Sequence, residues 1–240
     1  MAEKKISRKE LLKEPDEFLT YTGMTLKYIR EHPRQATAAG IAVVLVILCG
    51  VGFYYYQHAR ERKSHELLQQ AIKAYEVISH ANQQPSGDQL DQLLASFDYI
   101  AATYPSLLAG EQAVLYSGHV LFLKKDYPRA LEKYQQLQSS TMARKGLASL
   151  IMYHIGRTFL AMNEYDKAIL VFDQLTKDPD SPYRREAYGT IARIYEMMNK
   201  KKEAVQSYRQ YLKIFPEAPD AAFVKSRIAE LSPTGPGESS

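Results

Sequence analysis

Side chains that could carry out chemistry are few in this sequence of 240 residues, and no motif brings them together. The six histidines are scattered, and His119 and His154 lie in separate helical segments. Asp178 and Asp180 flank a proline in a predicted turn, where aspartate is favoured for its backbone hydrogen bonds. Glycine-rich phosphate loops, His-Glu-x-x-His pairs and nucleophile elbows do not occur. We therefore expect no catalytic residue, no cofactor and no metal site, and we predict that the protein is not an enzyme.

Composition excludes two further kinds of chemistry. The single cysteine, Cys49, lies inside an apolar stretch, so it can form neither an intramolecular disulfide nor a thiolate metal site. Lysine and arginine number 31 against 27 aspartates and glutamates, which gives a net charge of +4 without a dense basic face. A nucleic-acid binder needs such a face, so we do not expect DNA or RNA as a partner.

The apolar stretch itself predicts a membrane helix. Residues 36–56 contain no charged side chain. At about 1.5 Å per residue a helix of this length covers roughly 30 Å, the thickness of the hydrocarbon core. Pro33 suits the first turn of such a helix, and three consecutive tyrosines ending at Tyr56 suit the headgroup region. We predict a retained transmembrane helix over residues 34–57, because no small-residue cleavage site follows it.

The distribution of positive charge predicts how this helix is oriented. Three Lys or Arg residues lie close to each end of the apolar stretch, but the N-terminal segment adds Lys4, Lys5, Arg8, Lys9 and Lys13. By the positive-inside rule, residues 1–33 are then a cytoplasmic leader and residues 58–231 lie on the outer side. We expect a single-pass protein of a bacterial inner (plasma) membrane with a periplasmic domain.

The leader also contains a weak helical pattern. Ser7 and Glu10 have the spacing of a capping box. A thin apolar stripe follows at helical spacing, formed by Phe18, Thr22, Leu26 and Ile29. This stripe predicts a partly amphipathic helix on the membrane surface, with a loosely helical leader that only supplies positive charge as an equal alternative.

A helical pattern recurs four times after the membrane segment. A small or apolar residue is followed four positions later by an aromatic residue, and three positions after that by another apolar or aromatic residue. The four sets are Leu93-Phe97-Ile100, Ala130-Tyr134-Leu137, Ala168-Phe172-Leu175 and Ala204-Tyr208-Tyr211. Pro105, Pro179 and Pro216 come shortly after three of these sets and are expected to end their helices.

Small residues twelve positions before each of the three alanines mark a second helix in each repeat. These are Gly118, Gly156 and Ala192, each followed three residues later by a large side chain, Leu121, Phe159 or Tyr195. A small side chain lets two antiparallel helices approach closely, and large ones fill the groove between them. Both helices of each hairpin thus resemble the tetratricopeptide repeat. The first hairpin is degenerate, with Ala81 at the small position and Gln84 where a large apolar residue belongs.

The predicted fold class is therefore all-α. A single transmembrane helix precedes an α-solenoid of about four tetratricopeptide-type hairpins over residues 58–231, and residues 219–231 form a C-terminal capping helix. Neither proline nor glycine occurs between Tyr56 and Asn82, so we expect the membrane helix to run straight into the first repeat helix. Residues 232–240 are expected to form a flexible tail.

The resemblance to the tetratricopeptide repeat also implies a protein-binding groove lined by the first helices. Its positions are counted from the small residue of each repeat. Carried over to this chain they are Leu115, His119, Phe122, Tyr153, Arg157, Leu160, Arg193 and Glu196. This set changes from apolar near the membrane to charged at the far end, which suits an extended peptide of mixed character. The alternative is that these residues only pack or face solvent.

One transmembrane helix followed by about four repeats also resembles the YfgM-like family of inner-membrane proteins. Members are ancillary to the Sec translocon and associate with periplasmic chaperones. The resemblance implies a membrane-anchored protein–protein interaction module that assists protein translocation, chaperoning or envelope complex assembly, and it is compatible with a homo-oligomer. The alternative is a permanent structural scaffold subunit of a larger membrane complex.

Overall fold

The computed structural model describes residues 17–80 and 85–232, and the chain divides into two compact units, Met1–Ala59 and Arg60–Ser240. Several features predicted from the sequence fall outside the described residues. These are the capping box at residues 7–10, the degenerate crossing residues Ala81 and Gln84, and the tail from residue 233 onward.

The first unit contains helix α1, Glu17–Glu31, and the beginning of helix α2, Pro33–Ser79. Large apolar side chains of α2 between residues 41 and 56 are exposed, for example Val46 at 72% and Phe53 at 64%. The core helix of a soluble protein would bury such side chains. Helix α2 is the one described helix that is long and apolar enough to cross a membrane, judged by length and composition.

Helix α2 is 47 residues long and continues without a break into the second unit. The absence of proline and glycine after Tyr56 predicted this continuity. Its buried positions begin only beyond the apolar stretch, at Ser64, Leu68 and Ala71, where one face of the helix joins the core of the repeat domain. The same helix therefore carries the predicted membrane segment and the first helix of the first hairpin.

Eight further helices complete the described part of the second unit. They are α3, Gly87–Thr103; α4, Leu108–Leu123; α5, Tyr127–Gln136; α6, Ala148–Ala161; α7, Tyr165–Lys177; α8, Arg184–Met197; α9, Lys201–Ile214; and α10, Ala221–Leu231. The pairs α4/α5, α6/α7 and α8/α9 form antiparallel hairpins, and α10 packs on α9. No strand occurs in residues 17–80 or 85–232, so the predicted all-α solenoid with a capping helix is confirmed.

The three hairpins share one turn geometry. Lys125, Asn163 and Asn199 each have a φ close to +60°, the left-handed conformation that ends many helices. In every case the next residue donates its backbone N–H to a carbonyl five positions back, as Glu164 does to Phe159. Asparagine tolerates this conformation well, whereas lysine is less suited to it.

Close helix crossings hold the hairpins together at the small residues predicted from the sequence. A Cβ added to Gly118 would lie 2.5 Å from the Tyr134 ring, and one added to Gly156 would lie 3.0 Å from the Phe172 ring. In the last hairpin, Ala192 is fully buried in the cluster that contains Tyr208 and Tyr211. Each hairpin thus packs an aromatic ring of its second helix against a small residue of its first helix.

The connection between α5 and α6 lacks the proline that the other connections between hairpins contain. It consists of a 3₁₀ turn at Leu137–Ser139 and an irregular π-type turn at Ala143–Leu147. The carboxylate of Glu111 on α4 accepts the backbone N–H groups of Thr141 and Met142, each at 2.8 Å. This carboxylate satisfies backbone donors in the longer connection between the second and third hairpins.

The first hairpin, formed by the end of α2 and by α3, is packed less closely. An open groove of about 490 Å³ is lined by residues of both helices, which include Leu67, Ala74 and Tyr99. Ser86 caps the start of α3 through a capping box with Gln89. Arg60 of α2 donates to the carbonyl of Thr103 at 3.4 Å.

The glycine crossings make a direct prediction about stability. Gly118→Ala should lower the free energy of unfolding by about 1–3 kcal/mol, because the buried Tyr134 ring must move to admit a Cβ. Gly189→Ala is the matched control, since its Cβ would meet Tyr211 only at an ordinary 3.7 Å. Chemical denaturation of the full-length protein in detergent, followed by circular dichroism, measures both. Equal stability of the two variants would contradict the crossing geometry.

Candidate protein-binding surface

The first helices α4, α6 and α8 expose one side that we call the first-helix surface. It is the side that carries the residue following each small crossing residue: His119, Arg157 and Arg193. Rings and hydrogen bonds join one first helix to the next along it. Tyr153 of α6 stacks on Tyr183 at 4.5 Å between ring centroids, and its hydroxyl donates to Glu186 of α8.

Arg157 lies at the centre of this surface and is exposed. Its guanidinium carbon is 5.3 Å from the ring centroid of Phe122 on α4 and 5.7 Å from that of Tyr153 on its own helix. Such cation–π contacts hold the guanidinium over the rings while its N–H groups stay accessible. None of the carboxylates in the described residues forms an ion pair with Arg157.

His119 and His154 meet at the junction of α4 and α6. Their Nε2 atoms are 3.2 Å apart, which is a hydrogen bond in which one imidazole donates and the other accepts. Burial is the main reason that the pKa of His119 is lowered to about 4 and that of His154 to about 3, and the positive charge of Arg157 adds to both shifts. At neutral pH the pair is therefore uncharged and joins the second hairpin to the third.

Tyrosine rings surround this histidine pair. The ring of Tyr134, from α5, stacks on His154 at 5.1 Å, and the ring of Tyr116 lies 5.4 Å from His119. Tyr75 of α2 contacts Tyr116 at 5.4 Å, so the long helix also contributes to the first-helix surface. Burial raises the pKa of all three phenols, which keeps these hydroxyl groups protonated.

The far end of the surface is rich in charge, but most of that charge is paired. Glu196 accepts hydrogen bonds from Arg227 of α10 and from Tyr208. Burial tends to raise the pKa of Glu196, but these bonds outweigh burial and lower it. Arg185 forms an ion pair with Asp220 at 3.2 Å. A cavity of about 260 Å³ opens here, and Arg193 is one of its lining residues.

The eight residues carried over from the repeat pattern have different surroundings. Leu115 is only 6% exposed and belongs to the core, and Leu160 packs against the core of the third hairpin. Glu196 is occupied by Arg227, and Tyr153 is partly packed against α8. Three residues remain with surface to offer a ligand, Phe122, Arg157 and Arg193, whereas His119 is engaged by His154.

Sequence reasoning missed three residues that form part of this surface. His119 and His154 lie in separate helical segments of the sequence, but the structure joins them. Tyr75 and Tyr183 lie outside the positions that the repeat pattern assigns to the groove. The sequence holds a usable signal for Tyr75, because this residue continues an apolar stripe at helical spacing with Leu68 and Ala71.

The side chains of the first-helix surface suit a binding site for proteins. Within residues 17–80 and 85–232, no three His, Cys, Asp or Glu side chains lie close enough together to hold a metal ion. What the surface offers is aromatic rings, hydroxyl groups and an exposed guanidinium, the residue types that dominate protein interfaces.

The fold and this surface define a helical-repeat domain of the kind that binds other proteins. The chain belongs to the tetratricopeptide repeat-like domain family, whose model matches residues 33–232. None of the curated protein sequences compared with the chain matches it.

Solved structures of repeat proteins are similar to this chain. One, from Podosopora anserina, consists of nearly identical TPR-like repeats; it is 14% identical with a TM-score of 0.55, over 70% of this chain and 86% of that one. Another is a tetratricopeptide repeat protein from Parabacteroides merdae, 14% identical with a TM-score of 0.52, over 69% of this chain and 60% of that one. At these identities the likeness concerns the fold alone.

The histidine pair predicts that mild acid destabilises the repeat domain. Unfolded imidazoles take up protons near pH 6.5, whereas His119 in the folded chain stays neutral down to about pH 4. Unfolding therefore binds protons, and the free energy of unfolding should fall as the pH drops from about 6.5 to about 4. Each imidazole contributes at most about 1.4 kcal/mol per pH unit. Denaturant unfolding of the full-length protein across this range measures the slope.

A double variant isolates this effect. His119→Gln/His154→Gln keeps two side chains that can bond to each other but cannot titrate, so its pH slope should flatten. His65→Gln, at an exposed position, should keep the wild-type slope. Glu196 and Asp220 have lowered pKa values and act mainly below about pH 4.5. Identical slopes for wild type and the double variant would contradict the assignment.

Proposed function

We propose that this protein is a membrane-anchored protein–protein interaction module. Residues 34–57 span a bacterial inner membrane, residues 1–33 lie in the cytoplasm, and the repeat domain, residues 58–231, faces the periplasm. There it binds segments of other proteins and assists protein translocation, chaperoning or envelope complex assembly. The resemblance to the YfgM-like family makes the Sec translocon and periplasmic chaperones the partners to test first.

The observation that carries the proposal is the composition of helix α2. One uninterrupted helix contains a charge-free stretch with its apolar side chains exposed and, further along, the buried face of the first hairpin. A soluble repeat protein would not keep this apolar stretch of α2 exposed, because exposed apolar surface of this size favours aggregation or membrane insertion. Insertion into a membrane therefore explains why the apolar side chains in the first half of α2 are exposed.

The first-helix surface supports binding as the task of the repeat domain. Aromatic rings with an exposed arginine among them are typical of interfaces in which a few residues supply most of the binding energy. Here the ring of Tyr153 contacts the ring of His154 at 5.7 Å between centroids, and His154 in turn stacks on Tyr134 and bonds to His119. A surface held in place before binding loses less entropy when a partner arrives.

The orientation can be tested with reporters fused after Ser240. A periplasmic repeat domain should make alkaline phosphatase active and leave green fluorescent protein dark, because each reporter matures on only one side of the membrane. The five additional positive charges before residue 14 are the physical basis of this expectation. Replacing all five with glutamine should weaken the preference, and bright green fluorescent protein on the wild-type chain would refute it.

Binding at the first-helix surface can be tested by photo-crosslinking. A photoreactive amino acid in place of Arg157 should crosslink partner proteins in intact cells, because this position is exposed and central. The matched control is Arg209, which is also exposed but lies on second helix α9. Crosslinks from position 209 without any from position 157 would show that the binding site lies on the opposite side of the domain.

The crosslinked partners also separate the proposed function from its alternative. Varied partners in less than equimolar amounts, recovered in mild detergent, fit an interaction module. One stoichiometric set of partners would instead identify a permanent scaffold subunit of a larger membrane complex.

A further inference from the structure

We propose that two copies of this chain associate through the first hairpin, where the open groove between α2 and α3 receives α2 of a second copy. We call this groove the end groove; its lining includes Leu67, Gln70 and Ala74 of α2 and Ala95, Ser96 and Tyr99 of α3. The inference rests on the membrane anchor of the proposed function, and it goes beyond that function by assigning a second interaction surface and its occupant.

The end groove lies at the uncapped end of the row of hairpins. All of its lining residues belong to α2 and α3, and Tyr99 is 60% exposed. At the other end of the row, Val224 of α10 covers Tyr208 and Tyr211. Helical-repeat proteins need a cap at each end, because an uncovered terminal repeat exposes its apolar face. The first hairpin therefore requires a cover that residues 17–80 and 85–232 of its own chain do not supply.

Helix α2 presents to the end groove a stripe with the spacing of a helix–helix seam. Leu67, Gln70 and Ala74 line the groove, and Val77, which is 73% exposed, continues the same stripe. Successive members are separated by three, four and three residues, the spacing of the contact positions in a coiled coil. This stripe is separate from the one through Leu68, which is buried in the core. One face of α2 thus packs inside the domain, and a second face is left for another helix.

No charge opposes the pairing of two identical end grooves. Their lining contains no Asp, Glu, Lys or Arg, whereas the cavity beside Arg193 is lined by charged residues. Like charges brought face to face would exclude a second copy, and uncharged faces avoid this cost. The polar side chain of Gln70 can hydrogen-bond to its own copy across a two-fold axis. A polar pair of this kind fixes the register of two helices in a coiled coil.

The shape and size of this face suit a dimer that the membrane assists. Ala74, Ala95 and Ser96 are small and let another helix approach closely, and Leu67 and Tyr99 supply apolar surface. Two helices side by side, each about 10 Å wide and about 30 Å long, offer a face of roughly 600 Å² per copy. Two such faces together bury roughly 1,200 Å², the lower limit for stable protein interfaces.

Membrane anchoring favours a second copy over other helices as the occupant. With residues 34–57 inserted, α2 of each copy leaves the membrane in the same direction, and equivalent residues lie equally far along the helix from the membrane surface. The two stripes can then meet in parallel and in register. A two-fold axis perpendicular to the membrane lets α2 of each copy enter the end groove of the other. Confinement to one membrane also raises the effective concentration of the two copies.

Cysteine trapping of the full-length chain in isolated membranes tests the interface. The single native cysteine is first removed by Cys49→Ser, and one new cysteine is introduced by Gln70→Cys. Facing positions across a two-fold axis lie about 6 Å apart between Cα atoms, which a disulfide can bridge. Mild oxidation should therefore give a species of twice the chain mass on a non-reducing gel. Gln69→Cys is the matched control, an exposed neighbour of the same type outside the stripe, and should stay monomeric.

A charge placed in the seam should prevent trapping. Added to the Gln70→Cys chain, Ala74→Glu should reduce the trapped dimer at least about tenfold, because two glutamates would face each other in an apolar seam. Gln69→Glu adds the same charge outside the stripe and should leave trapping unchanged. Circular dichroism checks that each variant is folded, and Val77→Glu, at a more exposed position, replaces Ala74→Glu if that variant is not.

The remaining outcomes separate this inference from the proposed function. Equal trapping at positions 69 and 70, no trapping at either, or disulfides from position 70 to a protein of another mass would each overturn the second copy as occupant. If the chain still fractionates with membranes, the anchored interaction module of the proposed function stands. Recovery of the chain in the soluble fraction would remove the anchor and both proposals.

Discussion

The contact between a small residue and an aromatic ring at each helix crossing is the constraint on which the repeat domain depends. Gly118 against Tyr134 and Gly156 against Phe172 leave no room for even one additional carbon atom without a shift of the ring. Because the small residue must face the second helix, the residue that follows it is turned about 100° away along the helix. The crossings that close the hairpins thus also determine which side chains reach the first-helix surface.

Much of the fold could be predicted because this constraint repeats in the sequence at nearly constant spacing. Gly118, Gly156 and Ala192 and their aromatic partners all occupy the predicted positions. In the first hairpin the pattern recurs in the second helix, where Leu93, Phe97 and Ile100 are buried, and the first helix packs through Leu68 and Ala71 of α2.

The binding surface could be predicted only in part, because the sequence shows positions within one repeat and not contacts between repeats. His119 follows its small residue by one position, whereas His154 precedes its own by two. Their bond shows that neighbouring first helices meet with an offset of about one turn. The same offset brings Tyr153 to Glu186. Leu115, by contrast, has the right position in the pattern but is buried by the packing of α3 on α4.

The C-terminal helix completes the charge pattern of the surface. Capping helices of repeat proteins cover the apolar face of the last repeat, and α10 does so with Val224 against the cluster of Tyr208 and Tyr211. It also supplies Arg227, which neutralises Glu196. The positive charge of Arg193 helps to lower the pKa of Glu196, so the two groups interact. Without the ion pair to Arg227, Glu196 would compete with any ligand for Arg193. The helix that ends the solenoid therefore leaves Arg193 available at the surface.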